Sequence, residues 1–302
     1  MEIFCSTIIP TVNRSTLSQT VRSVLDQDFH RAGFEVIVVN DSGQPLPDTD
    51  WQHAEQVRVI TTYRHERSVA RNTGAAIARG KYFHFLDDDD LFLPGALEAF
   101  WKLDQTSPAA WLYGSYQTID NDGNLVEEIH PEISGNIFAY LVASEGIPFQ
   151  VSLLRSTEFF AAGMYDPNLI GVEDRDLGRR IARLGEVVWM PTIVAQIRIG
   201  QVGSTTDWSK LAERDRQGRE KALNQPCALS RLQHSAQVDN FLRGRICRAY
   251  LASSLWNLQH RNYFIAASRL TSMLAVTGPN ILSGAYWRGL RTRIKRLNEN
   301  WN

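Results

Sequence analysis

Three stretches constrain this chain more than any other feature. EIFCSTII (2–9), FEVIVV (34–39) and YFHFL (82–86) are apolar at nearly every position, with segments of helical spacing among them. A strand with one wet face alternates polar and apolar residues, whereas a strand covered on both faces does not. The first run closes at Pro10-Thr11, and Ser15 can cap a helix that presents Leu17, Val21, Val24 and Leu25 on one side. The second run ends at Asn40-Asp41-Ser42-Gly43, and Val57 to Thr61 reads as a weaker strand. A helix is predicted over 68–79, closed by Gly80, and Pro94 suits the first turn of the helix after the 82–86 strand. Apolar strands alternating with helices predict an α/β fold, a mostly parallel central sheet with helices on both faces. Ligands of such sheets bind outside the carboxyl ends of the strands, where Asn40-Asp41 and Asp87–Asp90 both fall.

The next part is less regular. Strands are expected over 111–117, 125–126, 150–154, 187–190 and 193–197, with a turn at Asn121-Asp122-Gly123-Asn124. Residues 173–184 read as a helix with Leu177, Ile181 and Leu184 on one side. From about Asp207 the pattern is helical throughout, so the expected division is an α/β unit over 1–206 and a helical extension over 207–302.

Charge follows the same division. The net charge of −1 hides a formal −10 over residues 1–239 and ten arginines or lysines, with no acid, from Asn240 to Asn298. Such a tail faces an anionic partner. The three cysteines have neither metal nor disulfide spacing, the strand pattern begins at Met1 without a signal peptide, and no apolar stretch reaches the roughly 20 residues of a membrane span. The best candidate for a span, 264–282, is broken by Arg269, Gly278 and Pro279. The expected compartment is the cytoplasm.

Asp87 to Asp90 place four carboxylates directly after a buried strand. Like charges repel, and a low dielectric raises that cost. The run is either a solvated loop or the seat of a cation, a divalent metal or a metal-bound phosphate.

IIPTVNR (8–14), EVIVVNDSG (35–43), RSVARNTGAAIARGKYFHFLDDDDLFLP (67–94), VEDRDLGRRI (172–181) and RIGQVGS (198–204) together resemble family 2 glycosyltransferases of the GT-A fold, over residues 2 to about 204. The resemblance implies an inverting transfer of a sugar from a nucleotide diphosphate to an acceptor hydroxyl, assisted by Mn²⁺ or Mg²⁺ at an Asp-x-Asp motif, here Asp87-Asp88-Asp89. It makes Asp89 the metal ligand and places Asp87 or Asp88 on donor hydroxyls, with Asp90 left to cap the next helix. Pro10, Thr11, Asn13 and Arg14 fall in the donor nucleotide loop. Asp41 would accept the N3–H of uracil, which favours a uridine donor although thymidine presents the same edge, and Asn-Asp-Ser-Gly is also ordinary turn chemistry. Arg71 lies by resemblance close to the nucleotide; the alternative for Arg64, His65, Arg67 and Arg71 is a solvated basic turn paired with Glu66. Asp174 is the implied general base, with Glu173 orienting the acceptor, while both residues also suit a helix start. The family's Arg-x-His is Arg198-Ile199-Gly200 here, which leaves a third metal ligand to water or to Gln201.

Residues 285–297 combine Tyr286, Trp287, Leu290, Ile294 and Leu297 with five bases, the pattern of a helix on an anionic membrane surface. The alternative is a tail packed on the acidic body of this chain or of a second subunit in a homo-oligomer. A membrane surface would suit a lipid-linked glycan acceptor. No nucleic-acid module is recognisable, so nucleic acid is not an expected partner. Trp189, Trp208 and Trp256 are available to stack on sugars, or to fill the core. A nucleotidyltransferase would need a basic Gly-rich loop that Pro10–Arg14 does not provide, and a non-catalytic nucleotide-sugar binding module remains the other alternative.

Overall fold

The computed structural model describes residues 2–143, 146–200 and 208–291. The apolar runs lie side by side. In chain order, β1 (Ile3–Thr11), β2 (Gly33–Asn40), β3 (Val57–Thr61) and β4 (Tyr82–Phe85) are all parallel, with β1 between β2 and β4 and β3 outside β2. They are followed by β5 (Leu91–Phe92), β6 (Trp111–Ile119), β7 (Leu125–Ile129), β8 (Ser152–Arg155) and β9 (Val187–Arg198). Among the described residues nine strands form one sheet of order β3-β2-β1-β4-β8-β6-β9-β5, with β7 as an antiparallel arm on β6. β8 runs antiparallel to both neighbours and β9 is parallel to β6, so the expected α/β class, with a mostly parallel sheet, holds. Where two strands were expected over 187–197 there is one. Its register with β6 slips between Gly114 and Tyr116 and then resumes. Gly114 permits the close passage, since a Cβ there would lie 2.6 Å from Val194 Cγ1.

The covering helices are α1 (Leu17–Leu25), α2 (Arg67–Ile77), α3 (Ala96–Thr106), α4 (Phe138–Val142), α5 (Ser156–Ala161) and α6 (Glu173–Leu184). Several ends differ from expectation for local reasons. Thr16, not Ser15, occupies the cap position of α1, and its hydroxyl bonds the Asp88 carbonyl (2.7 Å). α2 stops at Ile77 rather than running to Arg79, because Arg79 turns its backbone N–H (2.8 Å) and guanidinium to buried Glu35. Pro94 lies just outside α3, whose cap is Gly95 at φ 79°. On α6, Leu177 and Ile181 are buried, whereas Leu184 is exposed. Gly74 packs α2 onto the sheet: a Cβ there would meet Ile8 Cγ2 at 2.5 Å.

The remaining helices are α7 (Trp208–Leu223), α8 (Ala228–Gln233), α9 (Asn240–Gln259), α10 (Tyr263–Thr277) and α11 (Gly284–Arg291). Their core, including Ile246, Cys247, Tyr250 and Val276, also takes in Phe138, Ala139 and Val142 of α4. α11 crosses α9 at glycines, since a Cβ on Gly289 would lie 2.0 Å from the Phe241 carbonyl oxygen. Buried Arg179 of α6 donates to the Leu141 carbonyl (3.0 Å) and to Asp215 of α7 (2.8 Å). No helix among the described residues is long and apolar enough to cross a membrane.

One buried group makes this fold sensitive to acid. His84 Nε2 donates to the Gln150 carbonyl (2.9 Å), so Nδ1 accepts from Thr7 Oγ1 (3.2 Å) and the ring is neutral. Burial pushes its pKa from 6.5 down to about 4. Between those values the unfolded chain binds a proton that the folded chain does not, so stability falls as pH drops, by up to about 1.4 kcal/mol per pH unit. Unfolding free energies from urea denaturation at pH 7 and pH 5 should therefore differ less in His84→Gln than in the wild type, by roughly 1–2 kcal/mol.

Candidate active site

The carboxyl ends of β1 and β4 meet at the Asp run, which the fold divides rather than clusters. Asp88 turns back to β1, where its Oδ2 accepts from Thr11 Oγ1 (2.6 Å) and Arg14 stands 3.3 Å from its Oδ1. Thr11 Oγ1 also accepts from the Asn13 N–H (2.9 Å), and Asn13 sits at φ 68° on the exposed loop. Pro10 is a buried part of β1, paired with Val39. Arg14 also bonds Asp89. Asp90 does not cap α3; it is buried and accepts the Arg198 backbone N–H (2.8 Å), which fixes the end of β9 to the run. Arg198 then donates to the Asp120 carbonyl (2.9 Å), tying in the β6–β7 turn.

Carboxylate oxygens of Asp87, Asp89 and Asp90 lie within 4.8 Å of one another. Burial, and then the charge of Asp87, pushes Asp89 up to about 6 and Asp90 well above the usual carboxylate range. This is an under-neutralised set of hard oxygen donors, the chemistry that suits Mg²⁺ or Mn²⁺. Asp88 is also raised, by its own burial, but points to Thr11 and Arg14. Gly200, at φ 91°, offers no ligand, and Gln201 lies outside the described residues.

Across the rim, Arg71 of α2 is buried among three carboxylates. Its Nη2 donates to Asp87 (2.6 Å), and its Nη1 lies 3.4 Å from Glu173 and 3.7 Å from Asp174. Burial would lower the guanidinium pKa; these carboxylates hold it well above its ordinary value. Asp87 moves the opposite way: burial would raise it, but Arg71, Arg67 and Gln150 hold it low. Glu173 accepts from the Gly171 N–H and stands 3.4 Å from Arg67. Asp174 is not the cap of α6, a position held by Val172, and its Oδ1 is buried with no hydrogen bond. Burial, reinforced by Glu173 and Asp87 against Arg71, pushes Asp174 up to about 6.

Asp41 stands one strand away. Its oxygens accept from Thr62 Oγ1 (2.6 Å) and from the backbone of Arg64 (2.6 Å) and Glu66 (2.5 Å). The turn chemistry belongs to Asn40 instead, which bonds Ser42 and Gln44. Glu66 is a helix cap, accepting from Ser68 (3.0 Å) and Val69 (2.7 Å), rather than the partner of a solvated basic turn. Arg64 and His65 are exposed.

Three participants escape sequence reasoning. Gln150, in a 3-10 turn at Phe149–Val151, donates to Asp87 Oδ2 (2.8 Å). Tyr165 places its ring 5.3 Å under the Arg71 guanidinium and its buried hydroxyl has no partner. Asn72 clamps the Tyr165 backbone on both sides (2.9 and 3.0 Å), and the Ala-Arg-Asn segment was the one available hint of it. Trp189 donates to Ser115 (3.3 Å) and packs partly buried against the core, and the Trp256 ring lies against Arg216 and His260; the Trp208 side chain lies outside the described residues.

The profile of Glycosyl transferase family 2 matches residues 6–161, and the chain belongs to that family. It is 27% identical over 178 residues to the poly(ribitol-phosphate) beta-N-acetylglucosaminyltransferase TarP of Staphylococcus aureus, covering 55% of this chain and 51% of that one. It is 28% identical over 133 residues to the UDP-Glc:alpha-D-GlcNAc-diphosphoundecaprenol beta-1,3-glucosyltransferase WfgD of Escherichia coli, covering 42% and 51%. An uncharacterized glycosyltransferase of Rickettsia bellii is 32% identical over 175 residues, 56% of this chain and 25% of that one. The chain thus spans from about a quarter to about a half of these relatives' lengths. In fold it is similar to S. aureus TarS residues 1–349, crystallised with UDP-GlcNAc, at TM-score 0.62 and 15% identity over 90% of both chains. The GT-A class with a helical C-terminal region stands on this likeness.

Removing Arg71 leaves Asp87, Glu173 and Asp174 facing one another without their shared cation. Arg71→Met is expected to lower the unfolding free energy by on the order of 3 kcal/mol, and Arg71→Lys by less; urea denaturation measures both.

Proposed function

We propose that the protein transfers a sugar, with inversion, from a nucleotide diphosphate donor to a hydroxyl of a glycan or lipid-linked acceptor, and that Asp174 is the base. The observation that carries this reading is the Asp174 carboxylate, 35% exposed at the rim, whose inner Oδ1 has no hydrogen bond and lies 3.7 Å from the Arg71 guanidinium that also pairs with Asp87. An unbonded carboxylate oxygen with a raised pKa is a better proton acceptor than one held by backbone N–H groups. The acceptor hydroxyl gives its proton to Asp174 as its oxygen attacks the anomeric carbon and the nucleoside diphosphate departs. Glu173, held by Gly171 and Arg67, keeps Arg71 and the start of α6 in place and borders the acceptor side.

Asp87, Asp89 and Asp90 are the residues that would hold Mn²⁺ or Mg²⁺, which when bound offsets charge on the leaving diphosphate as a Lewis acid. Arg14, shared between Asp88 and Asp89, borders that site with a guanidinium that would suit donor phosphates. Asp41 uses three of about four acceptor positions, leaving one for the imide N–H that uracil and thymine share, and of the two a uridine donor is the reading taken. The UDP-GlcNAc in the TarS crystals and the UDP-Glc in the WfgD name support that choice. The TarP name, with its polymeric acceptor, supports a glycan-type acceptor, and the diphosphoundecaprenol in the WfgD name supports a lipid-carried one, with this protein attached peripherally at a membrane.

A screen of nucleotide sugars, with and without Mn²⁺, reads donor binding as thermal stabilisation and turnover as nucleoside diphosphate release; no response to any donor would refute the proposal. With the responding donor, Asp174→Asn should lose on the order of 10³-fold in kcat with donor stabilisation retained; unchanged turnover would remove Asp174 as the base, and donor stabilisation without turnover in the wild type would reduce the chain to a binding module. Since only the ionised carboxylate accepts a proton, kcat/KM of the wild type should fall about tenfold per pH unit below pH 6. Asp89→Ala should abolish the Mn²⁺ dependence of donor stabilisation, measured by differential scanning fluorimetry.

A further inference from the structure

The helical C-terminal unit leaves an apolar surface uncovered. Hydrogen bonds from Ser254 Oγ to the Ala266 carbonyl (2.9 Å) and from Arg269 Nε to Ser253 Oγ (3.1 Å), with Cys247 Sγ beside Thr277 Oγ1 (3.1 Å), set α9 and α10 antiparallel. Their inner faces are buried. On the outer side Leu251, Leu255 and Leu258 recur at helical spacing along α9, and Leu270 and Leu274 do so along α10. The antiparallel register puts Leu251 across from Leu270, so the two rows form one strip. Phe264 at one end of α10 is 88% exposed, and Leu282 just beyond the other end is 90% exposed. A contiguous surface of this kind marks an interaction site.

Charge identifies the occupant. From Asn240 to Arg291 there is no acidic residue, while Arg261, Arg288 and Arg291 are exposed and the rest of the chain is strongly acidic. A second copy docked face to face would bring two acid-free, positive units together. An anionic lipid surface instead accepts apolar side chains at its acyl boundary and guanidinium groups at its headgroups.

We infer that the α9–α10 face docks on an anionic bilayer surface, with Phe264, Leu274 and Leu282 entering the interface. This relocates the sequence expectation of a membrane helix over 285–297. In α11, Tyr286 and Gly289 are buried against the unit, with Tyr286 3.1 Å from Thr277 Oγ1, and residues 292–297 lie outside the described residues. The inference rests on the reading that the acceptor is carried at a membrane, but its test does not use turnover.

The full chain is floated with vesicles of phosphatidylcholine alone or mixed equally with phosphatidylglycerol. It should float with the anionic vesicles, less with neutral ones, and progressively less as NaCl rises. A triple variant, Leu255→Ser, Phe264→Ser and Leu274→Ser, changes only exposed positions; it should keep the wild-type melting temperature and float at least tenfold less. Failure of the wild type to float with anionic vesicles at low salt overturns the inference, as does undiminished flotation of the variant. A wild-type dimer by light scattering that the triple variant converts to a monomer assigns the face to a second copy and also overturns it. Flotation without sugar transfer would sink the proposed function alone, and donor turnover without flotation would sink this surface alone.

Discussion

One guanidinium organises the candidate site. Arg71 is almost wholly buried, and an isolated buried cation is untenable. It is tolerable because Asp87 comes from the end of β4 and Glu173 and Asp174 from the start of α6, so three carboxylates from two separate pieces of chain converge on it. The convergence has two consequences. It draws Asp87 down into the ionised range, and it leaves Asp174 neighbouring a cation without a hydrogen bond to satisfy it. A carboxylate so placed stays within reach of protonation near pH 6, whereas a helix cap would not.

How much of this was legible follows from the range of the signals. The parallel centre of the sheet was readable because β1, β2 and β4 are buried on both faces and their composition has to say so. Asp174 and Arg71 were reached through the resemblance, not through periodicity, since each also fits an ordinary helix start. The Asp run was read as one feature, yet successive residues leaving a strand point to different sides. Asp88 goes to Thr11, Asp90 to the β9 backbone, and only Asp87 and Asp89 keep their expected neighbourhood alongside Asp90. Tyr165 and Gln150 were invisible because their partners, Asn72, Arg71 and Asp87, lie far away in sequence and nothing local in Met164-Tyr165-Asp166 or Phe149-Gln150 betrays a contact.

The helix ends show the same rule at smaller scale. Capping preferences predicted where hydrogen-bond donors need acceptors, but tertiary partners outbid them. Thr16 gave its hydroxyl to Asp88, and Arg79 left α2 for Glu35. Each departure draws chain toward the sheet rim or the sheet interior, which is where a buried polar group has most to gain from a partner.

α6 joins the two halves of the molecule mechanically. Its first turn carries Glu173 and Asp174, and Arg179, on the same helix, reaches out of the α/β layer to Leu141 on α4 and Asp215 on α7. Arg179 is almost wholly buried, so that link is as rigid as the core around it. Burial would raise the Asp215 carboxyl, but Arg179 and Arg219 hold it near 2, so the pair stays charged through the whole range in which Asp174 titrates. Arg269 of α10 in turn donates to the Leu223 carbonyl of α7 (3.1 Å), so hairpin, α7 and α6 are connected by buried side-chain bonds, and a surface seating the α9–α10 hairpin, as inferred above, would act on the proposed base through them. Under the proposed membrane-carried acceptor, that connection would turn docking into positioning.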